Sequence, residues 1–416
     1  MYSTALDIVS EALNTPIEKD KILITGPAGT GKSYLLRSLY ERLSECYDVC
    51  KIALTHTAAK NIDGETIHSA FAVNPAVNIP NRTPKADVIM IDECSMIHVN
   101  LFNRIWPMIE SKLVIMFGDF CQLCPIHEDD ETISIKDLQL ALPDEALSRE
   151  DVIEHVLFYR SSKSYLFFSP HFNEFSVHLL TGAHRLTGPL LKMADMVRRG
   201  AFTEVTLSLS TSFHINATTV CLGATYRVLD KLWQSYLDSA NISYTPVPTA
   251  REPGESFYEN LLIYAAMPVK IIDGPLKGQA AIIVRLDEDG LHVRCDDACG
   301  DNHGDDNGGN YTLTKMHMEN HGVNYPIIPA RFLTVHHAQG LEFDDVLVCI
   351  DNMFEPGHLY TAITRCKGRL QVMTFKQNPP LARMRSSIRR MNDHITRHLI
   401  GRNGFIRTSK CPTGSP

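Results

Sequence analysis

Eight consecutive residues constrain the fold more than any other stretch of this chain. Gly26-Pro27-Ala28-Gly29-Thr30-Gly31-Lys32-Ser33 fits the pattern G-x-x-x-x-G-K-[ST]. An apolar run, Lys21–Thr25, precedes it directly, and a helical stripe of Leu35, Leu36, Leu39, Tyr40 and Leu43 follows. The glycines let successive backbone N–H groups converge on phosphate oxygens, and the helix start adds its positive end. A chance glycine-rich turn would carry the spacing but not the right context on both sides. Gly26, Gly29, Thr30 and Gly31 then line a phosphate cradle. Lys32 reaches the β- and γ-phosphates, and Ser33 holds Mg²⁺.

Strand, loop and helix in this order belong to a parallel sheet covered on both faces. Further short apolar runs at 49–55, 86–91 and 113–117 have the composition of such strands. The alternation predicts an α/β fold built on a doubly wound parallel sheet. A second set follows: a helix at 188–199, a strand at 219–222, a helix at 226–239, and strands at 332–336, 346–350 and 370–375. Between them, residues 271–329 are Gly-rich with short β-like runs at 280–286 and 291–295, which predicts a small inserted β module. At 416 residues the chain is long enough for two to four domains.

The expected division is therefore a first α/β domain over 1–178, with a short insertion near 72–86. A second α/β domain is assembled from 179–270 and 330–380, the β module spans 271–329, and a basic helix and tail occupy 381–416. Residues 381–410 hold eight basic side chains and one acid, Asp393. Such a helix can lie on phosphates or dock on an acidic body, and the pattern does not choose.

Overall charge gives no hint of a polyanion partner: 40 basic against 48 acidic residues leave −8. No apolar run approaches the roughly 18 residues of a bilayer span, and the first residues lack a signal peptide's basic start and apolar core. The 11 cysteines are odd in number and scattered, as reduced intracellular thiols are. These features predict a soluble, intracellular, multidomain protein with no membrane partner.

Ile89-Met90-Ile91-Asp92-Glu93 ends a strand with two adjacent acids. Neighbouring strand residues point to opposite sides, so one acid can face Mg²⁺ and the other an attacking water. The next strand ends in Gly118-Asp119-Phe120-Cys121-Gln122-Leu123-Cys124-Pro125. A polar amide there, Gln122, can touch a γ-phosphate. Cys121 and Cys124 have zinc half-site spacing, but no nearby pair completes it. Cys295, Cys299, His303, His317 and His321 in the β module are too loosely spaced for zinc, and a plain loop of a small barrel is the expectation.

Taken in order, eight blocks carry a resemblance: Gly26–Ser33; Leu54-Thr55-His56-Thr57-Ala58-Ala59-Lys60; Thr66-Ile67-His68-Ser69; Asp92-Glu93; Gly118–Pro125; Leu180-Thr181-Gly182-Ala183-His184-Arg185; Thr334-Val335-His336-His337-Ala338-Gln339-Gly340; and Tyr360-Thr361-Ala362-Ile363-Thr364-Arg365. The chain resembles superfamily 1 helicases of the RecD/Dda/PIF-type branch. The resemblance implies two RecA-like domains, ATP in the cleft, an SH3-like inserted module, and 5′→3′ movement on single-stranded DNA. It assigns catalysis to Lys32, Glu93, Gln122, Arg185 and Arg365, Mg²⁺ to Ser33 and Asp92, and nucleotide contact also to Gly340. His56, Thr66, His68, Thr334 and His336 fall where the family touches the strand. Read without that frame, these histidines are more simply taken as satisfied polar groups at strand ends.

The same resemblance implies partners: single-stranded and forked duplex DNA, and single-strand-binding or replication proteins, with the enzyme a monomer. Roles in replication, recombination or repair follow, and the compact length is similar to phage enzymes, implying a viral or phage source. The site of action would then be a host nucleus, a viral replication compartment or a bacterial cytoplasm. Three departures stand out. Residues 1–15 contain none of the family's adenine-reading Gln, residues 74–85 at the strand-separating pin contain no aromatic, and His337 stands where many relatives have Lys. Rival readings are an RNA helicase, a P-loop kinase or nucleotide switch, and a replication-assembly subunit without unwinding activity. A switch accounts for Gly26–Ser33 but not for the blocks from Gly118 to Arg365.

Overall fold

The computed structural model describes residues 21–73, 79–125, 163–182, 184–186, 188–216, 218–248, 260–295, 309–318, 322–353, 355–401 and 406–409. Residues 1–15, most of the pin's first half (74–78), and Cys299, His303 and His321 lie outside them, as do Arg402 and Lys410.

The first sheet is built from β1 (Lys21–Thr25), β2 (Val49–Ala53), β3 (Glu65–Thr66), β4 (Val88–Asp92), β5 (Leu113–Gly118) and β6 (Ser176–Leu180), joined at its edge by Ile406–Ser409. The seven strands run in the order 406–409, β6, β1, β5, β4, β2, β3, every pair parallel. Every residue of β1, β4 and β5 is buried, because helices cover both faces and leave no solvated side to favour polar alternation. Register places Thr25 beside Gly118 and Ile91 beside Met116. The phosphate loop, the acid pair and the Gln122 loop therefore leave three neighbouring strands at one edge, where α/β sheets bind ligands.

A second parallel sheet orders Phe332–Thr334, β7 (Val220–Gly223), Phe343–Cys349 and Cys366–Met373. The doubly wound α/β fold expected from sequence is thus present in both halves. Inserted in the second half, between β7 and Phe332–Thr334, lies a five-stranded antiparallel sheet: Asn310–Leu313, Gly290–Cys295, Ala280–Asp287, Pro268–Ile271 and Ile327–Pro329. Its Cys295 is buried in an apolar core, while His292 is held by Asp287 at 2.8 Å and Thr312 at 3.0 Å.

Two features differ from the expected division. The strand β6 runs through residue 180 and pairs with β1, so the first sheet extends past 178. The chain's last described strand, 406–409, also returns to that sheet. Before it, the helix Leu381–Gly401 buries Leu381, Met384, Ile388, Met391, Ile395 and Leu399, spaced three or four apart along one stripe. The first three pack into the core around the second sheet and the last three into the core under the first. Its basic residues turn to protein carbonyls: Arg385 donates to Phe202 O and Arg389 to Gly200 O. The helix docks on the body and joins the two halves. Among the described residues, no helix is long and apolar enough to cross a membrane.

Candidate active site

The phosphate loop leaves β1 and enters the helix Lys32–Leu43. Gly29 and Gly31 hold φ of 77° and 87°, left-handed values that any Cβ would strain. A Cβ on Gly26 would meet Leu180 O at 2.6 Å. Lys32 is half-buried, and Nζ donates to Gly26 O and Pro27 O at 2.8 and 3.0 Å. Burial lowers its pKa, against the pull of Asp119 and Glu93.

Asp92 ends β4, and Glu93 follows it with φ 50° and ψ 40°. The pair does not sit in simple strand alternation, because the left-handed turn at Glu93 re-aims its side chain. Asp92 accepts from the Glu93 N–H at 2.9 Å. Burial, then the Glu93 charge, push its carboxyl up to about 7, opposed in part by Lys32 and by a hydrogen bond from Ser33. A hard cation on the Asp92 and Ser33 oxygens removes that penalty, so the two fit Mg²⁺.

The opposite wall comes from the second half. Arg365, 3% exposed, donates to Gln122 Oε1 at 3.2 Å and to Thr361 O at 3.2 Å. Burial, then Arg185, lower its pKa. Arg185 donates to Thr364 O at 3.0 Å and pairs closely with Glu342. Gln339 reaches Glu93 at 3.4 Å, and Gly340, φ 78°, accepts from Asn61 at 2.7 Å. These groups enclose a cavity of about 360 Å³ whose lining includes Lys32, Ser33, Asp92, Glu93, Gln122, Arg185, Gly340 and Arg365. A larger depression of about 740 Å³ beside β2 and β3 contains none of them.

The sequence quoted Tyr360 without giving it a task. Its hydroxyl accepts from the Ala28 N–H at 2.8 Å and donates to Asp119 at 3.2 Å. Fully buried Asp119 also pairs with Arg198 at 3.1 Å, whose guanidinium lies 5.6 Å from the Tyr360 ring. A tyrosine in an apolar helix reads as core, and only the contacts disclose the bridge.

Most of the residues assigned to the strand sit at helix or turn starts. His56 begins the helix His56–Asn61. Thr66 caps the helix Ile67–Ala70 by accepting from Ser69 N, and burial, then His56, lower the His68 pKa. In the second half Thr334 accepts from His337 N at 3.2 Å. His336 instead faces Glu355 at 3.9 Å. Cys121 and Cys124 diverge, Cys121 bonding Asn392 and Cys124 bonding Glu355.

A family profile described as an AAA domain matches residues 9–128, and one described as a UvrD-like helicase C-terminal domain matches 329–373. The ATP-dependent DNA helicase PIF1 of Emericella nidulans is 32% identical over 148 residues, 28% of this chain and 20% of that protein. The matched stretch thus spans about a fifth of that relative. The ATP-dependent DNA helicase Pif1 of Campylobacter jejuni is 22% identical over 418 residues, covering 83% of this chain and 86% of its own. Among solved structures, Pif1 helicase from Bacteroides in complex with ADP-AlF3 and ssDNA superposes with a TM-score of 0.59 at 20% identity, over 92% of this chain and 94% of that one. In its two parallel-sheet domains and in these matched stretches, the chain is similar to ATP-dependent DNA helicases of the Pif1 type.

Proposed function

We propose that this chain is an ATP-dependent motor that moves 5′→3′ along single-stranded DNA and separates the duplex ahead of it. The observation that carries this reading is the hydrogen bond from Arg365 to Gln122. It joins the wall that holds phosphates to the wall that moves, at the point where a γ-phosphate would lie. Lys32, now on loop carbonyls, turns to the phosphates and compensates their charge. Ser33 and Asp92 would hold Mg²⁺, which would supply charge neutralisation on the phosphates when bound. Glu93, held from the far side by Gln339, orients the attacking water and accepts its proton. Charge accumulates on the γ-oxygens in the transition state, so a guanidinium arriving on closure stabilises that state more than bound ATP.

Movement follows from the shared cleft. The strand-facing starts at His56 and Thr66 ride on the first sheet, Thr334 on the second, and nucleotide closure changes the spacing between them. Single-stranded and forked DNA are the proposed partners, reached through backbone and stacking contacts.

ATP turnover measured with and without single-stranded DNA tests the reading. Turnover should rise strongly with the strand, and Lys32→Ala should remove most of it. A rate indifferent to nucleic acid would leave a P-loop switch. RNA of the same sequence, run beside the DNA, reads which sugar the motor takes.

A further inference from the structure

His336, Glu355 and His358 bring three metal-ligating atoms within 4.8 Å of one another, apart from the nucleotide cavity. His358 Nε2 lies 3.6 Å from Glu355 Oε2, and His336 Nε2 lies 3.9 Å from the same oxygen. The two imidazoles meet edge to face with centroids 5.2 Å apart. Donor atoms around one tetrahedral zinc sit about 3.4 Å apart, given bonds of about 2.0–2.2 Å. The glutamate therefore already stands at near-ligand spacing from both rings.

His358 is 4% exposed, and neither of its ring nitrogens makes a hydrogen bond. Buried polar atoms without partners are rare and mark a missing ligand more often than other positions do. Glu355 starts the helix Pro356–Ile363 without a side-chain cap to its N–H groups. The thiol of Cys124, from the other half of the molecule, donates to Glu355 Oε2 at 3.4 Å.

We propose that His336, Glu355 and His358 form a site for a divalent transition metal of the zinc class, beside the Cys124 thiol and between the two α/β halves. Two imidazoles, one carboxylate and a neighbouring sulfur are the donors such ions prefer, whereas Mg²⁺ takes all-oxygen sets and would not compete. The site is tied mechanically to the cleft. A Cβ on Gly357 would fall 2.0 Å from Gln122 O, so the helix that starts at this site is already pressed against the Gln122 loop. An ion here braces that contact, and the site does not depend on the motor reading.

The test uses the full chain, stripped of metal and kept in excess Mg²⁺. Titration with Co²⁺ should give visible ligand-field bands that saturate at one equivalent and vanish on adding Zn²⁺. Competition against a chromophoric chelator then gives the Zn²⁺ affinity. Loss of an outer-shell partner commonly costs about 10–100-fold in metal affinity, so Glu355→Gln and His358→Gln should each weaken binding on the order of 100-fold. Zn²⁺ should raise the melting temperature of the unsubstituted chain and leave that of Glu355→Gln unmoved. Glu355→Gln keeps the test sound if His358→Gln fails to fold, because the glutamate makes no cap to the helix it begins and is partly exposed. Absence of saturable Co²⁺ bands, or equal Zn²⁺ affinity in Glu355→Gln and the unsubstituted chain, overturns the site.

Discussion

Arg365 already donates to Gln122 while burial holds its own pKa down, so it meets an incoming phosphate without travelling far. Removing it should leave nucleotide binding to the phosphate loop within a few-fold, yet cut turnover by about 10³–10⁵ as for comparable arginine fingers. Nucleotide affinity and single-turnover hydrolysis of Arg365→Ala, with saturating DNA, separate the two effects; turnover within a few-fold of the starting protein would remove the finger role. Arg185 is placed differently, paired with Glu342, and has to leave that carboxylate before it can reach a phosphate. Tyr360→Phe removes the acceptor of the Ala28 N–H and one donor to Asp119. Leaving those buried groups short should cost about 1–3 kcal/mol, read as a lower midpoint in denaturant. That Lys32, Asp92 and Gln122 share one cavity was legible in their residue types and spacing, and their phosphate roles are the ones proposed above. Tyr360 was not, since its partners Ala28 and Asp119 lie 332 and 241 residues away. Nor was the left-handed backbone at Glu93, where nothing in the residue's type asks for a positive φ.

At the scale of elements, the helix Leu381–Gly401 does most to hold the halves together. Ile388 packs with the core around the second sheet, and Met391 with the aromatic core of Phe102, Trp106, Phe120 and Phe167 under the first. Truncating a buried Ile or Met side chain costs about 2–5 kcal/mol. Ile388→Ala and Met391→Ala should therefore each lower stability by about that much, measured by denaturant unfolding. If the helix couples the halves, each change should shift the midpoint of both together; two separated transitions would show independent domains. Its apolar spacing was visible in the sequence, but the excess of arginine over acid left phosphate binding equally open. The deciding fact is that Arg385 and Arg389 are spent on backbone carbonyls of the second half. Buried runs such as 21–25 and 113–117 announced themselves as strands through unbroken apolar composition. The edge strand Ile406–Ser409 did not, because its four residues IRTS carry no β alternation and its parallel partner β6 lies more than 220 residues earlier.

For the molecule as a whole, the proposed motor reading makes direction of travel the property that the two halves jointly encode. Both sheets are parallel, and the strand-facing starts at Thr66 and Thr334 lie at the ends of strands β3 and Phe332–Thr334. On the proposed motor reading, each closure of the nucleotide cleft would shorten the path between those two contacts and each opening would restore it, so that the strand advances by the difference. Which contact slips first sets polarity, and the resemblance in Thr66–Ser69 and Thr334–Gly340 implies 5′→3′. Residues 79–85, the described part of the segment at the family's pin, are Ile79, Pro80, Asn81, Arg82, Thr83, Pro84 and Lys85. Arg82 there is tied back to Ala70 O and Ser69 O at 3.0 and 2.9 Å, beside His68. That attachment fixes the segment to the strand-facing helix, yet it offers no ring to stack on the first base pair. Translocation and strand separation should therefore come apart in measurement. Duplexes with a 5′ single-stranded tail should be opened in preference to those with a 3′ tail. The yield per ATP hydrolysed should rise when an aromatic is introduced at the segment, as in Pro80→Phe. A preference for 3′ tails in a fluorescence unwinding assay would reverse the assigned polarity. Efficient unwinding that Pro80→Phe leaves unchanged would mean that another element splits the fork.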